Sequence, residues 1–525
     1  MGLPGKGEAW PPADHTARYS RMKTAATWYA GSPAQLGDLY GSVASRGQEG
    51  VLNRALRWFW STPEQGPTEH KLHVPLPRDI AVMNSELLFS EGVRFVVQHT
   101  RFTEDGTPDE SQDAEVAATQ ARLDELLDYS NFESVLLAAA ETCSPLGSVG
   151  LRIGWQKSAG LKMPVIMRVD ADAIVPEYRW GQLTAVTFWR TASVGSVVYF
   201  HLERHERGRI FHGLYAGQDG NLGNPVPLTD HEMTRDLAPL VDEQSSIALV
   251  DDETFTAVSV PNALPDPEDR HSLAGRSDYS PGVLTLFDAI DRTYTSLLRD
   301  IEDGRSRLII ADYMLNSNGA GRGVSFDEDQ HLFTRVKAAP AEDGTNPPIE
   351  QVQFRIRVDE HLRTLDNLIS RAVRMSGYSP DADQADSGGQ QTATEYVGKA
   401  RRSMQTRRKK LRYWQSLEGL MESLLKVDAA YFGSGVVPLP VRMEVPAAVQ
   451  PSMRELAETV SLLRQTEATS IAVRVRALHP DWDQKDVDAE VDRIQSESSV
   501  VDPATFGLPA PVRANSDGTS GEQDE

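Results

Sequence analysis

The chain has 525 residues, of which 40% are hydrophobic and 25% charged, and it carries a formal net charge of −23 at pH 7. That length is enough to bury a sizeable core and to divide into several structural regions. The acidity argues against a free-standing nucleic-acid binder, which is basic as a rule. It keeps the chain soluble, and it would repel rather than trap a passing polyanion.

No window reaches about 18 uninterrupted apolar residues, so no membrane span is expected. The start, MGLPGKGEAWPPADH, lacks a basic region followed by an apolar core, and Pro4 and Gly7 fit an acylation signal poorly. The single cysteine, Cys143, excludes an intramolecular disulfide. Its setting, ETCSPLG after an alanine-rich run, reads as a small buried residue.

To about Asn262 the pattern is mixed α and β. Glu115–Leu127 and Phe132–Glu141 read as helices. Leu151–Gly154, Val165–Val169, Ala185–Arg190, Val197–Leu202 and Arg209–Tyr215 read as strands. A Pro- and Asp-rich linker, Pro261–Ser280, follows. Ser280-Pro281 then marks a helix start, with Phe287, Ile290, Tyr294, Leu297 and Ile301 as its apolar stripe and Asp288, Asp291, Arg299 and Asp300 on other faces. After Gly304, Arg307–Ala311 is strand-like, Asn316–Gly323 is a turn-rich loop, and further short extended pieces run to Arg357. A second amphipathic helix, about Val358–Ser376, carries Val358, Leu362, Leu365, Ile369, Ala372 and Val373. The two helices thus bracket a small β-rich insertion.

The segment Gly377–Gln391, GYSPDADQADSGGQQ, has turn residues and no large aliphatic one. Thr392-Ala-Thr-Glu395 fits a capping box: the Thr392 hydroxyl accepts from the Glu395 amide, and the Glu395 carboxylate reaches back to Thr392. A long helix is expected from there to Lys426, on the order of 50 Å. Its apolar positions are Val397, Ala400, Met404, Leu411, Trp414, Leu417, Met421, Leu424 and Leu425. Pro451–Glu497 is again helical. From Gly507 the sequence is polar and rich in Pro and Gly, and disorder is expected.

Lys399, Arg401, Arg402, Arg407, Arg408, Lys409, Lys410 and Arg412 lie on the long helix. They go most of the way round it, so they cannot all face one ligand. Pairing on a solvated face or with neighbouring subunits is the favoured reading, and Lys399, Arg402, Arg408 and Lys409 are the candidates for DNA or intersubunit contact. The Gly377–Gln391 loop holds three Asp and no Lys or Arg, so any touch on DNA would be steric or through polar groups. His70 and His73 lack a third ligand. His201 and His205 flank Glu203 in HLERH, an order unlike that of the zinc proteases. Both pairs are taken as structural. No phosphate loop or nucleophile elbow is present, and no metal, cofactor or catalytic residue is assigned.

One family draws these features together. GGQQTATEYVGKARRSMQTRRKKLRYWQSLEGLMESLL resembles the tunnel loop and following helix of tailed-bacteriophage portal proteins, in the siphophage, gp6-like branch. The likeness extends over roughly Pro75 to Glu497. It is supported by LPRDIAVMNSELLFSEG (Leu76–Gly92), PLGSVGLRIGW (Pro145–Trp155), VPEYRWGQLTAVTFWR (Val175–Arg190) and LHPDWDQKDVDAEVDRI (Leu478–Ile494). The resemblance implies an α+β portal-type subunit. Residues 1–275 would form an N-terminal region and mixed α/β wing, 276–303 a first stem helix, 304–357 a β-rich clip and 358–376 a second stem helix. Residues 377–391 would be a tunnel loop, 392–445 a long helix returning to the wing, 446–506 a helical crown and 507–525 a disordered tail.

The resemblance further implies a ring, usually of about twelve subunits, at one capsid vertex. Double-stranded DNA would pass through it in packaging and ejection. A separate terminase large subunit would supply the energy and dock on the clip, and head–tail adaptors would follow. Major capsid and scaffolding proteins are the other implied partners. Assembly in the bacterial host cytoplasm, no membrane and no enzyme activity are also implied. Ser379, Asp381, Asp383, Asp386, Ser387, Gln390 and Gln391 become the DNA-channel loop, with Thr392 and Glu395 its helix cap. The alternatives are another phage structural or scaffold protein, or a metal-dependent hydrolase built on HLERH.

Overall fold

The computed structural model describes residues 2–44, 59–61, 71–156, 160–303, 307–311, 333–336, 350–352, 357–380, 393–446, 460–462, 469–479 and 484–499. They fall into two units, Met1–Gln390 with Tyr396–Ala448, and Gln391–Glu395 with Val449–Glu525.

In the first unit the chain runs α1 (Thr16–Ala30), α2 (Pro33–Ala44), α3 (Leu76–Phe89), β1 (Arg94–Val97), α4 (Asp113–Tyr129), α5 (Phe132–Leu146), β2 (Ser148–Gly154) and β3 (Val165–Asp170). Next come β4 (Ile174–Arg179), β5 (Gln182–Val194), β6 (Val197–Glu206), β7 (Arg209–Gln218), β8 (Asn221–Val226), the short α6 (Glu232–Arg235), β9 (Ser246–Ala248) and β10 (Ala257–Pro261). Then follow α7 (Pro281–Asp303), β11 (Arg307–Ala311), β12 (Phe333–Val336), β13 (Glu350–Val352), α8 (Val358–Met375), α9 (Ala393–Trp414), α10 (Leu417–Val427) and β14 (Val441–Glu444).

β4 to β8 form an antiparallel meander, with β9 paired to β7. Its first hairpin turns on Trp180 and Gly181, both at positive φ (54° and 78°). Such a two-residue turn matches the strand twist. Strands β10, β2 and β3 make a second antiparallel sheet, and β1 pairs with β14. Between them α5 ends at Gly147, φ 84°, where a Cβ would meet the Arg276 and Ser277 backbone at 2.8 Å. Only glycine lets that segment pass so close.

One core joins Leu88, Phe89, Phe95, Leu123, Leu126, Leu136, Leu151 and Val260 to Trp414, Leu417, Met421 and Leu424. Trp414 meets Phe89 edge-on at 4.9 Å. A second core joins Trp28, Leu36 and Ile80 to Phe287, Ile290 and Leu297 of α7 and to Leu365, Ala372 and Val373 of α8. The two helices lie antiparallel: Asp300 near the end of α7 meets Arg357 and His361 at the start of α8 (3.2 and 3.0 Å), and Gly282 lies beside Met375. At 23 residues, α7 is about 35 Å long. The strands between the helices pair in the order β12-β11-β13, with β11 parallel to β12 and antiparallel to β13. The loop expected at Asn316–Gly323 lies outside the described residues.

Two expectations change. The helix after Thr392 is not continuous to Lys426; it breaks at Gln415–Ser416 into α9 and α10. There the Ser416 hydroxyl bonds the Tyr413 carbonyl at 2.8 Å, competing with the helical ladder. Asp288 and Asp291, off the apolar stripe, are buried at 6% and 1% exposure. Asp288 accepts from the Phe59 amide, and Asp291 from Trp60 Nε1 (3.1 Å) and the Val74 amide (2.8 Å).

The second unit holds α11 (Ile471–Leu478) and α12 (Gln484–Ser499). Ser470 caps α11 by accepting from the Val473 amide, and Val475 and Val487 are buried. Residues 507–525 lie outside the described residues.

Candidate functional site

The exit from α8 is tied down by side chains of α9. Gly377, at φ 101°, turns the chain where any other residue would be strained. Its carbonyl accepts from Thr406 Oγ1 at 2.6 Å, and the Ser379 amide donates to Ser403 Oγ at 2.9 Å. Between them Tyr378 is fully buried. Lys410 Nζ donates to Asp278 Oδ2 (2.6 Å), Asn84 Oδ1 (2.8 Å) and the Tyr378 hydroxyl (2.8 Å). An ammonium has three donors, and all are used. Asp278 also accepts from Ser144 Oγ (2.8 Å) and Asn262 Nδ2 (2.9 Å). Burial, and then the Asp278 charge, push the Tyr378 phenol well above its ordinary range, so it stays a donor. The cluster joins α3, α5, the approach to α7, the exit of α8 and α9.

Of the predicted loop residues, Ser379 is the one described, and it is buried rather than presented. Asp381, Asp383, Asp386, Ser387, Gln390, Gln391 and Thr392 lie outside the described residues. So do the side chains of Glu395 and Lys399, whose backbones belong to α9.

The basic run resolves into two sets. Arg407 and Lys410 are buried; Arg407 donates to the Leu87 and Pro446 carbonyls at 2.8 and 2.9 Å. Arg401, Arg402, Arg408, Lys409 and Arg412 are exposed. At 100° per residue these five fall within about a third of the helix circumference. Among the described side chains the run therefore does not circle the helix as a solvated set: its exposed members share one face and form no ion pair with described residues.

The histidines meet on one face of the meander. Arg190 pairs across strands with His201, and Glu203 with His212. Arg190 Nε donates to His201 Nδ1 at 3.2 Å. An arginine only donates, so the His201 proton sits on Nε2 and is given to His212 Nδ1 at 3.3 Å. Burial lowers His201 to about 3 and also lowers His205 and His212, which keeps these rings neutral. Burial pushes Glu203 up, but Arg152 and the bond from His205 outweigh it and hold its carboxyl well below the usual range.

His201, Glu203 and His212 offer ligand atoms within 4.8 Å of one another. His205 does not join them; it is engaged by Thr256 Oγ1 at 2.7 Å and Glu203 Oε1 at 2.9 Å. A metal on His201 Nε2 would displace its proton and set Arg190 against a protonated Nδ1, so hydrogen bonding accounts for this cluster better than ligation does. His73 is likewise held by Asp291 at 2.8 Å, and His70 lies outside the described residues. Cys143 is buried, its thiol raised by burial, and its Sγ contacts the Val260 carbonyl at 3.7 Å.

A family model described as phage portal protein, SPP1 Gp6-like, matches residues 9–503. The chain belongs to that family. No curated protein matches it. As a phage portal protein it is a structural component of the virion, a head–tail connector that serves DNA packaging. Among the described residues no helix is long and apolar enough to cross a membrane. Sequence reasoning missed two features of this portal subunit. One is the Lys410 cluster, whose signal was a lysine in phase with Ala400, Ser403 and Trp414 on the buried side of α9. The other is a row of arginines on α8, visible as Arg363, Arg371 and Arg374 at helical spacing.

Proposed function

We propose that the subunit assembles into a ring, usually of about twelve copies, at one capsid vertex, and that double-stranded DNA passes through its channel in packaging and ejection. In this reading α7 and α8 are the stem, the strands between them form the clip that docks the terminase large subunit and later a head–tail adaptor, and the part of 377–391 that follows the anchored Gly377–Ser379 forms the loop that narrows the channel. The meander and the α3–α5 core belong to the wing, and the second unit is the crown. Assembly takes place in the host cytoplasm with scaffolding and major capsid proteins. The family match over residues 9–503 carries the reading. The antiparallel α7–α8 pair bracketing a three-stranded sheet supports it.

The exposed α9 face, with Arg402, Arg408 and Lys409, is assigned here to contacts between neighbouring subunits. A positive face on a chain of −23 finds its complement on other copies of the same acidic chain, and such unlike-face contacts close rings. The test of the channel loop is deletion of residues 381–389. Rings should still form and DNA packaging should fall sharply; normal packaging by such rings would remove the loop from the account.

A further inference from the structure

We propose that the α8 face formed by Arg363, Asn367, Ser370, Arg371 and Arg374 contacts the phosphates of the DNA duplex. This rests on the portal reading above and names the contact within it. With Asp366 these residues line one surface groove. The spacing of four, three, one and three puts them on a single helix face. The opposite face is committed: Leu365, Ala372 and Val373 are buried in the α7–α8 core. The three arginines are exposed, and none forms an ion pair among the described residues.

The chemistry fits a duplex backbone better than a buried protein surface. Guanidinium groups grip phosphate oxygens with paired donors, and Asn and Ser donate to phosphates without reading sequence. From Arg363 to Arg374 the row spans about 17 Å along the helix, or roughly five base-pair steps of duplex. Asp366 lies within the row, and Asp359 and Glu360 are exposed on the same side nearer the helix start. A purely basic strip would hold DNA fast; this mixed one favours a weak, sliding contact. Stabilisation of the helix C-terminus by cations accounts for Arg371 and Arg374. It does not account for Arg363, which lies in the second turn.

The test compares full-length wild-type rings with R363Q/R371Q/R374Q rings, using a short fluorescent DNA duplex and a range of salt. Rings are taken from the purified chain or from heads assembled with coat and scaffolding proteins; wild-type protein that closes no ring in either setting would count against the ring proposed above and not against this contact. Expected are intact variant rings, weaker duplex binding, and a salt slope flattened by about 0.9 for each phosphate that is no longer neutralised. Replacing the three arginines by lysine should restore most of the slope. Unchanged affinity and slope would overturn the inference. So would loss of rings in the triple variant together with each single glutamine variant, because the arginines would then bridge neighbouring subunits.

Discussion

Lys410 and Asp278 form an ion pair of 2.6 Å with side chains only 4% and 6% exposed, and the hydroxyl of Tyr378 lies within hydrogen-bond reach of both. The pair links the middle of α9 to the approach to α7 and the exit of α8. Removing one partner leaves a buried charge uncompensated. Lys410→Met should therefore cost about 3–5 kcal/mol. Tyr378→Phe should cost about 1–3 kcal/mol, because it removes one hydroxyl and little volume. Urea unfolding monitored by tryptophan fluorescence measures both. A loss below about 1 kcal/mol for Lys410→Met would mean that the pair contributes little.

Asp291 serves the segment before α3. It accepts from the Val74 amide, from Trp60 Nε1 and from His73 Nδ1. Asp291→Ala would leave these buried donors without an acceptor, at a cost of about 3 kcal/mol or more. Hydrogen exchange at Leu72–Val74 should accelerate more than exchange in β5–β7.

The buried histidines give a signed pH dependence. His201 is lowered to about 3 by burial, and His205 and His212 are lowered too. In the unfolded chain each takes up a proton below about pH 6.5. The folded state binds fewer protons in that window, so stability is full above it and falls as pH drops, until the folded pKa is reached. Each histidine steepens the fall by up to about 1.4 kcal/mol per pH unit. Thermal unfolding between about pH 7 and 4.5 should show that loss, and His201→Gln should flatten it. A wild-type curve that stays level across that range would contradict the assignment.

Charge reversal on the exposed α9 face separates folding from assembly. Arg408→Glu with Lys409→Glu should change subunit stability by less than about 0.5 kcal/mol, since both side chains are solvated. Ring formation, followed by native mass spectrometry, should become several-fold weaker at low salt. Equal assembly by variant and wild type would take this face out of the interface.

What the sequence made legible follows from periodicity. The apolar stripes of α7 and α8 and the alternation in the meander are local signals, and they placed those elements within a few residues. Buried polar groups were harder. Asp288 and Asp291 look like surface residues from their spacing, because nothing local reveals that Phe59, Trp60 and Val74 bring donors to them. The basic run looked evenly spread because Arg407 and Lys410 were counted with the solvated cations. Only tertiary contacts with Leu87, Pro446 and Asp278 divide the set. The break at Ser416 is local, but a serine within a strong helical pattern does not announce whether it will bond backward.

The measurement that bears most directly on the account is imaging of the full chain, purified and in heads assembled with coat and scaffolding proteins, alongside native mass spectrometry. A closed ring of about a dozen subunits, with a central hole wide enough for duplex DNA, is expected at a single vertex of each head. Compact dimers in solution together with protein spread over the whole shell would contradict it.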